Sequence, residues 1–239
     1  MTPNDLAQLL ERLRARRPRI HCLMNTVAQK LTADGLSAIG ATPSMTASIE
    51  EVADFAARAD ATLVNLGTMT AEMQQAIGLG LAALQPKPWV LDPVFCDVSP
   101  LRLTFAMALL ANQPAAIRGN MSEMALFSPR PDTVHIQTGA QDRITLGNRQ
   151  VQVLNGHPWL AAVSGTGCLS GALVAAFMTV TDDRFAAAAA GMVTLGIAAE
   201  QAASYAHGPG SFAPALLDAL YYLTPDDIIN KGQLIHGHA

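Results

Sequence analysis

The fold is decided by residues 60–94, which read DATLVNLGTMTAEMQQAIGLGLAALQPKPWVLDPV. The first part, DATLVNLGT, is an almost continuous apolar run that stops at Gly67, which is typical of a strand buried on both faces of a parallel sheet. Residues 71–85 predict a helix, and PWVLDPV predicts a second buried strand that ends at Asp92-Pro93. A strand, a helix and another strand in this order form the repeating unit of a parallel α/β sheet.

The same alternation continues on both sides of this stretch. RIHCLM reads as a strand before the helix VAQKLTADGLSAIG, which Gly40 ends, and IEEVADFAARA predicts a helix with a capping box of Ser48 and Glu51. Further on, AAIRGN predicts a strand, and WLAAVSGTG leads into an apolar helix. DRITLGNRQVQVLNG predicts an antiparallel hairpin that turns at Gly147-Asn148.

These elements predict one domain, residues 1–239, built as a doubly wound, mostly parallel α/β sheet with helices on both faces and a small antiparallel hairpin. One crossover connection is unusually short, because residues 121–133 provide little more than one helical turn before the strand VHIQT. Residues 224–239 show no strong period, so we expect a loose tail there.

The composition excludes a nucleic-acid-binding protein. Half of the 239 residues are hydrophobic, 14% are charged and the formal net charge is -4, so an electrostatic footprint for nucleic acid is lacking. The one basic run, residues 11–19, reads as the solvated face of a first helix. So low a charged fraction indicates either a sheet buried on both faces or a surface partly covered by other subunits.

The cysteines and the apolar segments indicate a soluble, cytoplasmic protein. Cys22, Cys96 and Cys168 are spaced too widely for a zinc site or a disulfide framework, so a reducing compartment fits best. MTPNDLAQLL lacks the charged-then-apolar order of a signal peptide. FAAAAAGMVTLGIAAE reaches Glu200 before it could span a bilayer, so no membrane partner is expected.

Polar residues follow the predicted strands at the points where the strands end. Since ligands of open α/β sheets bind outside the carboxyl ends of the strands, these residues predict the site. They are Asn25, Asp92, Arg118-Gly119-Asn120, Thr138-Gly139 and Gly165-Thr166-Gly167-Cys168.

The segment Gly165-Thr166-Gly167-Cys168 has two interpretations. A helix that begins here would direct free N–H groups and its dipole at an anion, which makes these residues a candidate anion hole for a phosphoryl group. The same field would lower the pKa of the Cys168 thiol, making it a candidate base or nucleophile. The alternative is a tight strand-to-helix turn with a small buried cysteine. A Walker A loop is excluded, because no lysine follows at the required spacing.

The other strand ends are open to two interpretations as well. Asp92 could help hold a divalent cation between phosphates, or it could bond to N–H groups of its own turn. Arg118 offers a guanidinium for phosphate, and Asn120 with Glu123 offers an amide and a carboxylate for a hydrated metal. Asn120 and Glu123 also fit a helix capping box, and the two interpretations do not exclude each other.

A family resemblance is carried by six segments that occur together and in order. They are HCLMNTVAQKLTADGLSAIGATPSM, NLGTM, WVLDPV, PAAIRGNMSE, NGHPWLAAVSGTGCLSGALVAAF and GPGSFAPALLDAL. These segments closely resemble the hydroxyethylthiazole kinases of thiamine biosynthesis and salvage. The resemblance implies a ribokinase-like fold and Mg²⁺-dependent transfer of the γ-phosphoryl group of ATP to the hydroxyl of 4-methyl-5-(2-hydroxyethyl)thiazole. It also implies a homotrimer with the thiazole sites at the subunit interfaces.

The resemblance further implies roles for the acceptor side of the site. Met45, which alone reads as core filler, and Gly165 would line the thiazole site. Asn25, which alone reads as a helix N-cap, would lie near the substrate. Cys168 would stand at the position of the catalytic base, where sugar kinases of the wider superfamily place an aspartate.

On the nucleotide side, the resemblance implies that Arg118 and Thr138 contact ATP and that Asp92 and Glu123 lie near the metal and the phosphates. Two departures from the family pattern fall there. Residues 124–133 are much shorter than the family's helical segment, although a parallel crossover normally needs about a dozen residues or more. Ala140 stands in TGAQD where the family has an acidic residue.

These departures leave three functions to be distinguished. The first is an active thiazole-alcohol kinase. The second is a non-catalytic thiazole-binding protein with a degraded nucleotide site. The third is a related small-alcohol kinase with another acceptor.

Overall fold

The computed structural model describes residues 1–238, and within them nine strands form one continuous sheet. The strands are β1 (Arg19–Leu23), β2 (Thr42–Ser44), β3 (Ala61–Asn65), β4 (Trp89–Asp92), β5 (Ala116–Asn120), β6 (Val134–Thr138), β7 (Asp142–Leu146), β8 (Arg149–Val153) and β9 (Leu234–His238). Their order across the sheet is β2-β1-β3-β4-β5-β6-β7-β8-β9. The pairs from β2 to β6 are parallel, and those from β6 to β9 are antiparallel. The predicted α/β class with a small antiparallel part is therefore confirmed.

Helices cover both faces of the sheet. They are α1 (Pro3–Arg16), α2 (Thr26–Ile39), α3 (Val52–Arg58), α4 (Ala71–Leu84), α5 (Pro100–Leu109), α6 (Met121–Met124), α7 (Trp159–Ala162), α8 (Thr166–Phe177), α9 (Arg184–Tyr205), α10 (Pro209–Tyr222) and α11 (Pro225–Lys231). One apolar core lies between the sheet and a layer that contains α1, α2 and α8 to α11. A second, smaller core lies under α3 to α6 on the opposite face. Because both faces are covered, the strands need no polar face, and all five residues of β3 are buried.

The apolar helix α9 is the central helix of the larger layer. It packs against α8 and α10, and its 22 residues are long and apolar enough to cross a membrane, so the expectation that the segment ends too early at Glu200 is wrong. However, 89% of its most apolar window is buried inside the protein, which is the arrangement of a core helix.

Side-chain capping explains where most of the helices begin. Asn25 caps α2 by accepting a bond from the Ala28 N–H, and Gly40 ends the helix in the left-handed region, as predicted. The capping box expected at Ser48 and Glu51 is wrong. The helix α3 begins only at Val52, and Glu51, its N-cap, makes no side-chain capping bond.

The segment after residue 223 differs from the loose tail that the sequence predicts. Thr224 and Asp227 form a capping box for α11, and residues 234–238 pair antiparallel with β8 as β9. Asn155 links the two segments, because its side chain donates to the Lys231 carbonyl and accepts from the Gln233 N–H. Residues 224–238 are therefore part of the folded sheet and its helical layer.

The short crossover is compatible with a parallel pair. The helix α6 has four residues, yet β5 and β6 remain in parallel register from Ala116↔Val134 to Asn120↔Thr138. The hydroxyl of Thr133 donates to the Pro114 carbonyl, and this bond fixes the start of β6 beside the start of β5.

Candidate active site

The parallel strands bring their polar ends to one edge of the sheet. Asn25 follows β1 by two residues, Asn65 ends β3, and Asp92 ends β4. Cys168 lies in the first turn of α8 and faces this edge. The structure therefore brings Asn25, Asp92 and Cys168 together, as their positions at strand ends predict.

Asn65 links these three side chains, although the sequence analysis did not select it. Its Nδ2 lies 2.7 Å from Asp92 Oδ2 and 3.2 Å from Cys168 Sγ, and its Oδ1 lies 2.9 Å from Asn25 Nδ2. The signal was present in the sequence, because Asn65 is the polar residue that ends the apolar run of β3. The rule that selected Asp92 selects Asn65 too.

Asp92 is completely buried beside a partly buried cation. Its Oδ1 lies 3.7 Å from Arg118 Nη1 and makes no hydrogen bond within residues 1–238. Burial raises the pKa of Asp92, with a smaller contribution from the charge of Glu123, while Arg118 and the Asn65 hydrogen bond lower it. Oδ1 therefore has Arg118 as its charged partner, as a buried carboxylate requires.

Cys168 differs from the prediction that the helix terminus would lower its pKa. Burial and the nearby charge of Asp92 raise the pKa of the thiol to about 11. The hydrogen bond from Asn25, the charge of Arg118 and the backbone N–H of Cys168 itself lower the pKa, but by less. Near neutral pH Cys168 is therefore a thiol and not a thiolate.

Glu123 has the structural role that the capping-box interpretation gave it. Its carboxylate accepts from the N–H groups of Asn120 and Phe95 at 2.8 and 2.7 Å, and Asn120 Oδ1 accepts from the Glu123 N–H. These bonds close the one-turn helix α6 and fix the turn after β4. Within residues 1–238, no group of three or more histidine, cysteine, aspartate or glutamate side chains could hold a metal ion.

A cavity of about 680 Å³ is bordered by the segment Gly165-Thr166-Gly167. Arg118 and Thr138 line it, together with Ala140 and Asp142 of the loop and strand that follow β6. The Nε atom of Arg118 is buried and makes no hydrogen bond in the part of the chain that the structure describes. Because Arg118 lines the cavity and 15% of its side chain is exposed, its positive charge can meet a ligand there.

The N-terminus of α8, which contains Cys168, borders the cavity. Gly165, the N-cap, has φ +95°, and a Cβ there would lie 3.0 Å from the Cβ of Ala28. Gly167 lets Arg118 approach, since a Cβ there would lie 3.0 Å from Nη1 and Nη2. Because Gly165 has no side chain to cap the helix, the N–H groups of the first turn are available to an anion.

Met45 lies apart from this cavity. It follows the edge strand β2, is partly buried and packs against the larger core. The carboxyl end of β2 is next to that of β1, which leads to Asn25. Met45 is therefore at the same edge of the sheet, but it is not among the residues that line the cavity.

Three further features of the cavity were not selected from the sequence as site residues. Burial raises the pKa of Asp142 to about 6, although the Gly139 N–H and Arg118 lower it. The buried Asn155 donates to Glu200, which also accepts from the Gly156 N–H. The ring of His157 packs against Trp159 and Phe212 and borders the cavity. His157 comes from a loop, so strand-end reasoning does not find it, whereas Asn155 follows β8 by two residues, as Asn25 follows β1, and was overlooked.

Comparison with known proteins relates the whole chain to one family. The model of the hydroxyethylthiazole kinase family matches residues 10–129 and 127–226. A probable hydroxyethylthiazole kinase of Agrobacterium fabrum is 51% identical over 232 positions, which cover 96% of this chain and 94% of the relative. The hydroxyethylthiazole kinase of Cronobacter sakazakii is 40% identical, covering 90% of this chain and 92% of the relative.

Solved structures show the same architecture. The hydroxyethylthiazole kinase of Pyrococcus horikoshii OT3 superimposes with a TM-score of 0.91 at 32% identity, over 98% of this chain and 99% of that chain. A ribokinase-like superfamily protein of Enterococcus faecalis V583 superimposes with a TM-score of 0.56 at 14% identity, over 87% and 88% of the two chains. The predicted ribokinase-like fold is confirmed.

The comparisons also locate the short crossover. The Cronobacter alignment has 243 positions, whereas 90% of 239 residues is about 215, so about 28 positions have no residue from this chain. The two matches to the family model meet at residues 127–129, within the link between α6 and β6. The Agrobacterium alignment has 232 positions for about 229 residues of this chain, 96% of 239, so that relative has a chain of similar length in the aligned region.

Proposed function

This chain belongs to the hydroxyethylthiazole kinase family and is thus an enzyme that phosphorylates a thiazole alcohol, and we propose that it uses ATP and Mg²⁺ to phosphorylate the hydroxyl of 4-methyl-5-(2-hydroxyethyl)thiazole. One observation carries the proposal. The hydrogen-bonded side chains of Asn25, Asn65 and Asp92 meet Cys168 in the first turn of α8, and Gly165, Thr166 and Gly167 of the same helix terminus line the cavity. Arg118 faces both Asp92 and the cavity. An acceptor alcohol beside Asn25 and Cys168 and a triphosphate in the cavity would meet at this helix terminus.

Phosphoryl transfer depends on positioning and charge stabilisation more than on covalent catalysis. We assign Gly165, Thr166 and Gly167 to the anion hole, because first-turn N–H groups and the helix dipole stabilise negative charge on the transferring phosphoryl group. Arg118 would hold the nucleotide phosphates, and Thr138 would border the nucleotide. Met45, Asn25 and Gly165 would contact the thiazole alcohol.

The residues at the end of β4 fit a magnesium ion. Asp92 Oδ1 is buried without a hydrogen bond, and Glu123 contributes a second carboxylate charge nearby. Mg²⁺ is commonly bound through one or two carboxylates, with water and substrate phosphates completing its shell. When bound, Mg²⁺ neutralises charge on the phosphoryl group. Since both Glu123 oxygens already accept backbone N–H groups, we assign direct contact to Asp92.

Cys168 would orient the acceptor alcohol as a neutral thiol and would not act as a strong base. Its pKa of about 11 leaves little thiolate near neutral pH. We therefore expect Cys168→Ser, in which a neutral hydroxyl accepts the same amide N–H groups, to lower kcat by less than about tenfold. Steady-state kinetics at saturating ATP and thiazole alcohol would measure this. A loss of about 10³-fold would contradict the orienting role and restore the thiolate as base.

Arg118→Ala is expected to raise the KM for ATP by about tenfold or more, because it removes the guanidinium from the cavity beside Gly167. The KM for the thiazole alcohol should change little, since that substrate is assigned to the neighbourhood of Asn25 and Cys168. The matched control is Arg58→Ala, which removes an exposed arginine at the end of α3. Equal effects on the two KM values would show that Arg118 does not belong to the nucleotide site.

The reaction is tested directly by mixing the protein with ATP, Mg²⁺ and the thiazole alcohol and detecting the monophosphate by mass spectrometry. Omission of Mg²⁺ should abolish the product. Calorimetry showing thiazole binding without ATP binding would support the non-catalytic alternative. Turnover of other small alcohols in preference to the thiazole would support a different acceptor.

We further propose that the protein is a cytoplasmic homotrimer. Val27, Phe95 and Met121 each lie within three residues of a strand-end residue of the site, and 59–71% of their surface is exposed. Apolar side chains exposed beside a site are commonly covered by another subunit. The three cysteines are free thiols, which fits a reducing compartment. Light scattering at three times the mass of one chain would support the trimer, and the mass of a monomer would exclude it.

A further inference from the structure

The carboxamide of Asn65 uses all of its hydrogen-bonding capacity at the site. The residue is completely buried at the end of β3. Its Oδ1 accepts from Asn25 Nδ2 at 2.9 Å and from the Gly67 N–H at 3.1 Å. Its Nδ2 donates to Asp92 Oδ2 at 2.7 Å and to Cys168 Sγ at 3.2 Å. Two donors and two acceptor positions are the full capacity of an asparagine side chain.

Only one orientation of this amide is chemically possible. The Gly67 N–H can only donate, so the Asn65 atom that faces it must be oxygen. On the other side, the carboxylate of Asp92 can only accept, so the facing atom must be nitrogen. Asn25 is oriented in the same way, because its Oδ1 accepts from the Ala28 N–H and its Nδ2 must then face Asn65 and Cys168.

This arrangement of hydrogen bonds sets the direction in which the Cys168 thiol points its hydrogen. Its sulfur accepts from Asn65 Nδ2 at 3.2 Å and from Asn25 Nδ2 at 3.4 Å. Because both amides point hydrogen at the sulfur, the thiol proton is directed away from them. The same Asn65 nitrogen holds Asp92 by Oδ2, which leaves Oδ1 on the side of Arg118. One buried side chain thus sets the relative position of a group on α8 and a group on β4.

We propose that Asn65 is a positioning residue that aligns Cys168 and Asp92 with each other for phosphoryl transfer, an inference that rests on the proposed function. Asn65 does not border the nucleotide cavity, so it acts through these two side chains. Misplacement of reacting groups by about 1 Å can cost about 10²-fold in rate. Loss of Asn65 should therefore appear in kcat and not in the KM for ATP, while any change in the KM for the thiazole alcohol would report on its bond to Asn25.

The test compares Asn65→Ala with Thr62→Val, a matched change on the same strand. Thr62 is also completely buried, and its hydroxyl makes no hydrogen bond within residues 1–238. We expect Asn65→Ala to lower kcat by about 10- to 100-fold, with the KM for ATP within about threefold, and Thr62→Val to retain kcat. If the alanine variant does not fold, Asn65→Ser is measured by the same criteria. A kcat within about threefold of wild type would overturn the inference.

A double-mutant cycle with Cys168→Ala separates positioning from general damage. If Asn65 acts partly through the thiol, Asn65→Ala should cost at least about threefold less in kcat when Cys168 is already absent. Effects that multiply independently would overturn the inference. Wild-type protein that forms no thiazole monophosphate would instead overturn the proposed function, so the two failures are distinguishable.

Discussion

Asp92→Asn is expected to lower kcat by about 10²- to 10³-fold, the largest effect on activity of any single change at the site. The substitution keeps the shape of the side chain but removes a negative charge that lies 3.7 Å from Arg118. It also replaces the buried oxygen that makes no hydrogen bond and that we assign to Mg²⁺. Both losses fall where charge develops on the transferring phosphoryl group. Steady-state kinetics at saturating ATP, thiazole alcohol and Mg²⁺ would measure the effect.

The matched control for this prediction is Asp34→Asn, which removes a carboxylate from an exposed ion pair with Lys30 on α2. Its activity should equal that of the wild type, and its stability should change by about 1 kcal/mol or less. A titration of Mg²⁺ adds a second readout, since only Asp92→Asn should require more of the ion. An Asp92→Asn enzyme within tenfold of wild type would exclude Asp92 from the metal and phosphate site.

Gly191→Ala should lower the free energy of unfolding by about 2–3 kcal/mol. A Cβ at Gly191 of α9 would lie 2.8 Å from the backbone nitrogen of Val174 and 2.9 Å from its Cα, so α8 and α9 would have to separate. Backbone cannot rotate away as a side chain can, and this cost exceeds the gain of about 1 kcal/mol in helix propensity. For a chain of this size, the melting temperature should fall by about 5–10 °C.

Gly78→Ala is the control for the change at Gly191. Gly78 lies in α4, and a Cβ there would meet no atom within 4 Å. The same substitution should then raise stability by up to about 1 kcal/mol, because alanine favours the helix. Differential scanning calorimetry of the two variants would give shifts of opposite sign. Equal shifts would show that the close approach of α8 and α9 does not govern their packing.

Much of the site could be predicted because it follows from local pattern. A strand buried on both faces must be apolar, so the first polar residue after it marks the edge where parallel strands end. This reasoning found Asn25, Asp92, Asn120 and Thr138, and it applies equally to Asn65, which was overlooked. Residues of the cavity that come from a loop, such as His157, follow no period and could not be found in this way.

The two elements of the C-terminal segment, α11 and β9, differ in whether the sequence could predict them. In TPDD, residues 224–227, Thr224 and Asp227 have the spacing of a capping box, and a proline follows the threonine. The start of α11 could therefore have been predicted and was missed. The strand β9 could not be predicted from the sequence, since it depends on pairing with β8, about 80 residues earlier in the chain. A short strand has no stable form without its partner.

The order of apolar and polar residues was enough to establish the α/β class, the edge that carries the site and the candidate anion hole, because each depends on burial patterns within a few residues. The chemical state of Cys168 depended on the folded protein. Its pKa is raised by burial and by Asp92, 76 positions earlier, and these outweigh the hydrogen bonds and the Arg118 charge that lower it. The orientation of the thiol likewise depends on Asn25 and Asn65, which reach it from other elements. Burial and distances between such remote groups exist only after the chain has folded. The sequence therefore left Cys168 open as a base, an orienting thiol or a small buried residue, and the folded protein favours the neutral thiol.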